Sequence, residues 1–321
     1  MLERILVALD GSRLSEQSVP FATALAETFE AELILLRVVE SPGRPSRSLD
    51  SFDWRLGRAE AIEYLAAIEE RLRAEGIEVD VEVTSGRPCE EILEVAATRH
   101  ADLIILGSHG GGGMSRFPIS STTQKVAFNT DVSVLVIPAN EDELEGVPFT
   151  NVLVPVDGSP HSDWAVSVAA RVAQVHSAHL TILHVVRTPT LLDPQGTVQE
   201  ERLVDEIVAT NRRAAARYLG NLKSRLESPQ LPVRARIEVS GDIAPVLLRY
   251  ARSGDRTLVL LSSRGRATFE EGPCGTLITV MLANAGSPLL VLREPKRSDQ
   301  STRRWRGASA SVGQRRNRIP R

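Results

Sequence analysis

One stretch of this chain returns almost unchanged. Arg4-Ile5-Leu6-Val7-Ala8-Leu9-Asp10-Gly11-Ser12 reappears as Asn151-Val152-Leu153-Val154-Pro155-Val156-Asp157-Gly158-Ser159, at an offset of 147 residues. The same offset relates Ala22 to Ala169, Ala26 to Ala173, Leu33 to Leu180 and Val38-Val39 to Val185-Val186. Further on it becomes 155, which relates Ser85-Gly86 to Ser240-Gly241 and Gly110 to Gly265. Solenoid units repeat every ~20–50 residues, so a period this long is a whole domain, duplicated. The 321 residues divide into residues 1–139, an acidic and polar linker at 140–149, a second copy at 150–294, and a tail at 295–321. Any site in one copy has a counterpart in the other.

Within each copy, apolar runs alternate with helical patterns. Ile5–Leu9 is a short β-branched run ending at Asp-Gly, as in a buried parallel strand. Ala22, Leu25, Ala26 and Phe29 then follow helical spacing. Strands are expected at Leu33–Val39, Val79–Thr84, Leu103–Leu106 and Val134–Ile137. Helices are expected near Ala59–Ala74, Glu90–Arg99 and Thr122–Asn129, with a loop over Ser41–Asp50. Aromatics are only 4% of the chain, so the cores must be built from Ala, Val, Leu and Ile. Strand–helix alternation predicts right-handed crossovers and two tandem doubly wound α/β domains, Rossmann-like, each with a five-stranded parallel sheet between helices.

No apolar run reaches the length of a membrane span, and a strand pattern is under way by Arg4, so no signal peptide is expected. Cys89 and Cys274 occupy non-matching places in the two copies, so no disulfide framework is expected, and a reducing cytoplasm is the expected location. The net charge of −3 conceals a basic end: Pro295–Arg321 carries about +8, leaving about −11 for the rest. The tail lacks apolar periodicity and is predicted to be disordered. Arg303-Arg304-Trp305-Arg306 would permit contact with nucleic acid or anionic lipid, but specific nucleic-acid reading is not expected without a basic folded face.

In an open α/β sheet, ligands bind beyond the carboxyl ends of the strands. Three loops of each copy converge there: Asp10-Gly11-Ser12 after the first strand, Val38-Val39 after the second, and a glycine loop after the fourth. Asp-Gly-Ser also suits a plain turn with a helix N-cap. The glycine loop reads Gly107-Ser108-His109-Gly110, then nine residues, then Ser120-Ser121. Its counterpart reads Ser262-Ser263-Arg264-Gly265, nine residues, then Gly275-Thr276. Glycines admit close backbone approach, and a hydroxyl at a helix start suits phosphate. Ser121 and Gln124 also fit a capping box. Neither a Walker A motif nor GxGxxG is present.

These motifs together resemble the universal stress protein family, twice over, across about residues 1–139 and 150–294. The resemblance implies a five-stranded parallel α/β fold and, in the nucleotide-binding members, ATP. By that resemblance Asp10 and Asp157, with the backbone at Val38 and Val185, would meet the adenosine. Gly107, Gly110, Ser120 and Ser121, or Ser262, Gly265, Gly275 and Thr276, would meet ribose and phosphates. Each copy departs from the family pattern once, at Ser120 and at Ser262. A Cβ is thereby added where the nucleotide should approach, and binding is expected to weaken.

Charge separates the copies. The first loop carries Arg116 and no acid, whereas the second carries Arg266 with Glu270 and Glu271. A carboxylate about 8 Å from a phosphate charge costs roughly 2 kcal/mol at an effective dielectric of about 20. ATP is therefore expected in the first copy, unless Glu270 or Glu271 holds Mg²⁺. His109 and Arg264 occupy equivalent loop positions and would either touch a phosphate or face solvent. His176, His179 and His184 fall across a helix end and a strand with no metal-ligand spacing. Ser12 and Ser159 have no histidine base nearby, so no nucleophilic triad is supported. The sequence predicts a nucleotide-responsive regulator or scaffold with an adenine nucleotide and a protein as partners. The two copies would pair as a pseudo-dimer, with a homo-dimer of the chain as the other option. An exposed fifth strand would pair with another chain, unless the covalent duplication satisfies that pairing internally. The rival readings are a nucleotide-free interaction module of the same fold and a slow ATPase.

Overall fold

The structure is a computed structural model, and its described residues are 2–40, 50–109, 119–139, 148–189, 198–253, 256–263, 276–284 and 286–294. The first copy runs β1 (Arg4–Ala8), α1 (Arg13–Glu16), α2 (Val19–Phe29), β2 (Glu32–Glu40), α3 (Asp50–Ala74), β3 (Val79–Gly86), α4 (Pro88–Thr98), β4 (Leu103–Gly107), α5 (Ser121–Asn129) and β5 (Ser133–Ile137). The second runs β6 (Asn151–Pro155), α6 (Pro160–Val175), β7 (His179–Arg187), α7 (Val198–Leu226), β8 (Val233–Ser240), α8 (Ile243–Arg252), β9 (Thr257–Ser262), α9 (Thr276–Asn284) and β10 (Leu289–Leu292). Every expected strand and helix is present. The third helix begins nine residues earlier than expected, at Asp50; Phe52, Leu56 and Ala59 already follow helical spacing there. No helix of the described residues is long and apolar enough to cross a membrane.

Strands β1 to β5 pair in parallel in the order β3-β2-β1-β4-β5, and β6 to β10 repeat it as β8-β7-β6-β9-β10. The two halves are not separate sheets. β5 and β10 pair antiparallel and join them into one ten-stranded sheet. An edge strand in each half thus loses its open hydrogen-bonding row to the other.

Strand residues alternate between the two faces. Ile5, Val7, Leu33, Leu35 and Leu135 join the core under α2 and α3, continuous with its counterpart under α6 and α7. Leu6, Ile34, Leu36, Val134 and Val136 join the opposite core under α4 and α5, continuous with that under α8 and α9. Helix ends repeat as well. Glu30 and Ser177, 147 residues apart, both take left-handed backbone (φ 55° and 53°). After them Ala31 N–H bonds Ala26 O (3.1 Å) and Ala178 N–H bonds Ala173 O (2.8 Å), satisfying carbonyls at the helix end.

On one face α2 and α6 meet. Phe149, last residue of the expected linker, is 1% exposed. Its ring lies 6.5 Å from Phe21 and edge-on to His176 at 5.3 Å. His176 Nε2 is 2.7 Å from Ala24 O and 2.9 Å from Thr28 Oγ1, and Arg171 Nε donates to Thr28 O at 2.9 Å. His184, by contrast, sets Nδ1 2.7 Å from Val156 O. His176 and His184, grouped together by sequence, therefore serve separate contacts. The loop at 41–49, residues 140–147 and the basic tail lie outside the described residues.

Candidate nucleotide site in the first half

Asp10 follows β1 and accepts from Ser12 N–H through Oδ1 (2.9 Å). Ser12 caps α1 by accepting from Ser15 N–H (3.1 Å), and Ser15 Oγ returns a hydrogen bond to Ser12 O (2.9 Å). The second half copies each bond: Ser159 N–H to Asp157 Oδ1 (2.9 Å), Ser162 N–H to Ser159 Oγ (3.2 Å), Ser162 Oγ to Ser159 O (2.9 Å). Gly11 and Gly158 take φ of 80° and 74°, which L-residues rarely adopt. The turn-and-cap role is thus real, and it also fixes the carboxylate at the strand end.

Two residues behind this loop were not singled out by sequence. A Cβ on Gly11 would come within 2.0 Å of Arg37 Nη1, so the guanidinium lies against the glycine. Arg37 also stacks over Tyr64 at 5.0 Å. Burial, then the charge of Glu16, raises the Tyr64 phenol well above its usual pKa. The counterpart Tyr218 is raised by burial and by its hydrogen bond to Asp163. The tyrosine–acid pair is therefore duplicated, whereas Arg37 corresponds to His184. The acids match at the offset of 147, Glu16 with Asp163, but Tyr64 and Tyr218 are 154 residues apart and match at neither offset.

The glycine loop is held from several sides. Ser108 N–H donates to Ile137 O (2.6 Å), and Ser120 N–H donates to Ser108 O (2.6 Å). Ala139 N–H donates to Ser108 Oγ (2.8 Å), and Thr123 Oγ1 donates to Gly107 O (2.7 Å). A Cβ on Gly107 would meet the His109 carbonyl oxygen at 2.9 Å, so this glycine is required by the protein's own backbone. His109 is buried, with Nδ1 3.1 Å from Ser108 Oγ, which corrects the option of a solvent-facing loop residue.

The capping box expected at Ser121 and Gln124 does not form. Ser120 is the N-cap, and its Oγ accepts from Thr123 N–H at 3.1 Å. The cap falls one residue earlier because Ser120 holds extended backbone (ψ 155°) tied to Ser108. The N–H groups of Ser121 and Thr122 precede the first intrahelical bond. With the positive end of the helix dipole, they offer an anion a donor pair.

Asp10, Val38, Gly107, Ser120 and Ser121 all line one cavity of about 720 Å³ at the carboxyl ends of β1, β2 and β4. This size suits a nucleotide or similar small molecule. Leu36, Ile92 and Leu106 give it apolar walls; Asp10, Glu40, Thr122 and Gln124 give it polar ones. Thr279, Leu282 and Ala283 of α9 also border it. Sequence reasoning missed these because they belong to the other copy. In the second half, Asp157, Val185, Ser262 and Thr276 are described and stand at the corresponding strand and helix ends. Gly110, Gly265 and Gly275, with Arg116, Arg264, Arg266, Glu270, Glu271 and Cys274, lie outside the described residues.

Comparison with known proteins agrees with this fold and duplication. The model of the universal stress protein family matches residues 1–138 and 148–293, and the chain belongs to that family. A universal stress protein of Methanocaldococcus jannaschii is 30% identical over 146 residues, spanning 44% of this chain and 86% of that protein. One from Mycolicibacterium smegmatis is 25% identical over 296 residues, 90% of this chain and 96% of its own. The crystal structure of a universal stress protein from Archaeoglobus fulgidus superposes with a TM-score of 0.61 at 20% identity, covering 90% of this chain and 98% of that one.

Proposed function

We propose that this universal stress protein binds an adenine nucleotide in the cavity of its first half and acts as a nucleotide-responsive regulator or scaffold. The observation that carries the reading is the convergence of Asp10, Val38, Gly107, Ser120 and Ser121 on one cavity. Adenosine would sit between Asp10 and Val38, and the phosphates at the start of α5. Among the described residues no group of three or more His, Cys, Asp or Glu is placed to hold a metal. Mg²⁺ would therefore arrive on the phosphates, which usually complete its shell with water. The second site is proposed to be weaker, on the charge of Glu270 and Glu271.

Calorimetry of the full chain with ATP and AMP, with Mg²⁺, tests this. One site of micromolar affinity, lost in Asp10→Ala and kept in Asp157→Ala, is expected. Absence of heat, and no nucleotide retained on purification, would favour the nucleotide-free interaction module. ADP release abolished by Asp10→Ala would favour the slow ATPase.

A further inference from the structure

We infer that the nucleotide site of the first half is completed by the second half, and that helix α9 sets which phosphate chain length it prefers. The inference rests on the nucleotide reading above. Strand order fixes the layout. Passing along the carboxyl ends of the sheet, Val38 on β2 comes first, then Asp10 after β1, then Gly107 ending β4, then the start of α5. A nucleotide with its adenosine at Asp10 and Val38 thus extends its phosphates towards β5, and the next strand is β10 of the other copy.

Helices α5 and α9 cover the same face there, because Val134, Val136, Leu289 and Val291 all point into one core. Thr279 and Ala283 border the cavity alongside Gln124 and Phe128. At the offset of 155, Thr279 is the counterpart of Gln124, and Ala283 of Phe128. The same positions of the two copies therefore frame the far end of one cavity. Thr279 is exposed and Ala283 half-buried, so both accept substitution without opening the core. With its adenosine at Asp10 and Val38, a triphosphate would carry its outer phosphates towards the wall at α9, and a monophosphate would stop short of it.

Calorimetry of the full chain with ATP and with AMP separates the outcomes. Thr279→Lys should tighten ATP several-fold and Thr279→Glu loosen it about as much, because a charge at this wall acts on the outer phosphates, with AMP unchanged in both. Ala283→Trp should weaken ATP and spare AMP. Equal shifts for ATP and AMP, or no shift in any variant, would overturn the role of α9 while leaving the site intact. Wild-type protein that binds neither nucleotide would overturn both the site and this inference. Unchanged melting temperatures in the Thr279 variants exclude misfolding as the cause.

Discussion

Leu135 and Leu290 stand opposite each other where β5 meets β10, and at the offset of 155 they are the same position of the two repeats. The flanking pairs, Val136 with Leu289 and Val134 with Val291, are exchanged by the same symmetry. The chain thus contains an internal two-fold axis through its central residue pair, an isologous interface made within one polypeptide. Both leucines are fully buried.

Because the sheet and both cores run through this axis, the halves should unfold together. Leu290→Ala removes side-chain volume from the shared core and should cost about 2–5 kcal/mol. Urea denaturation followed by circular dichroism should show one transition in the wild type and a lower midpoint in the variant. Two resolved transitions in the wild type would show that the halves are energetically independent.

Phe149 is the second tie between the halves, wedged between Phe21 and His176. Phe149→Ala should cost about 3–5 kcal/mol while leaving the β5–β10 pairing in place. Hydrogen exchange should rise at the α2–α6 contact and remain slow in β5 and β10. Unchanged protection at α2 would argue that Phe149 fills space without joining the halves.

Gly107→Ala should act locally. The added Cβ meets the His109 carbonyl oxygen at 2.9 Å, and backbone must move to relieve it. Such overpacking costs about 1–3 kcal/mol, and the movement displaces the loop that borders the cavity. The expected outcome is a modest loss of stability by urea titration with a clear loss of nucleotide binding. Retained affinity would mean that the Gly107 loop does not shape the site.

At the outer edge, Arg99 pairs with Asp80 and with Glu82 (2.9 Å for the latter), tying the end of α4 to β3. The hydrogen bond from Arg99 holds the Asp80 carboxyl below its usual range. A depressed carboxylate contributes stability above its unfolded pKa of about 3.9 and loses it as pH falls through the folded value. Asp80 is half exposed, so screening limits the contribution to about 1 kcal/mol or less. Arg99→Ala should lower the urea midpoint at about pH 7 and converge on the wild type towards about pH 3. An equal deficit at both pH values would show that the loss is packing, not charge.

The duplicated Ile5–Ser12 and Asn151–Ser159 segments, with the alternation of apolar runs and helical patterns, determined the fold of each half. These are local signals: strand burial and helix periodicity are written into consecutive residues. They also located Asp10, Val38, Gly107, Ser120 and Ser121, since each sits at the end of an element whose type was legible. Tertiary structure decided the rest. Whether Ser120 or Ser121 capped α5 depended on the tie between Ser120 and Ser108, twelve residues away. Arg37 reached Gly11 only because β2 lies beside β1. Thr279 and Ala283 came to the cavity of Asp10 only because β10 pairs with β5, and pairing between distant edge strands leaves no periodic mark in either one.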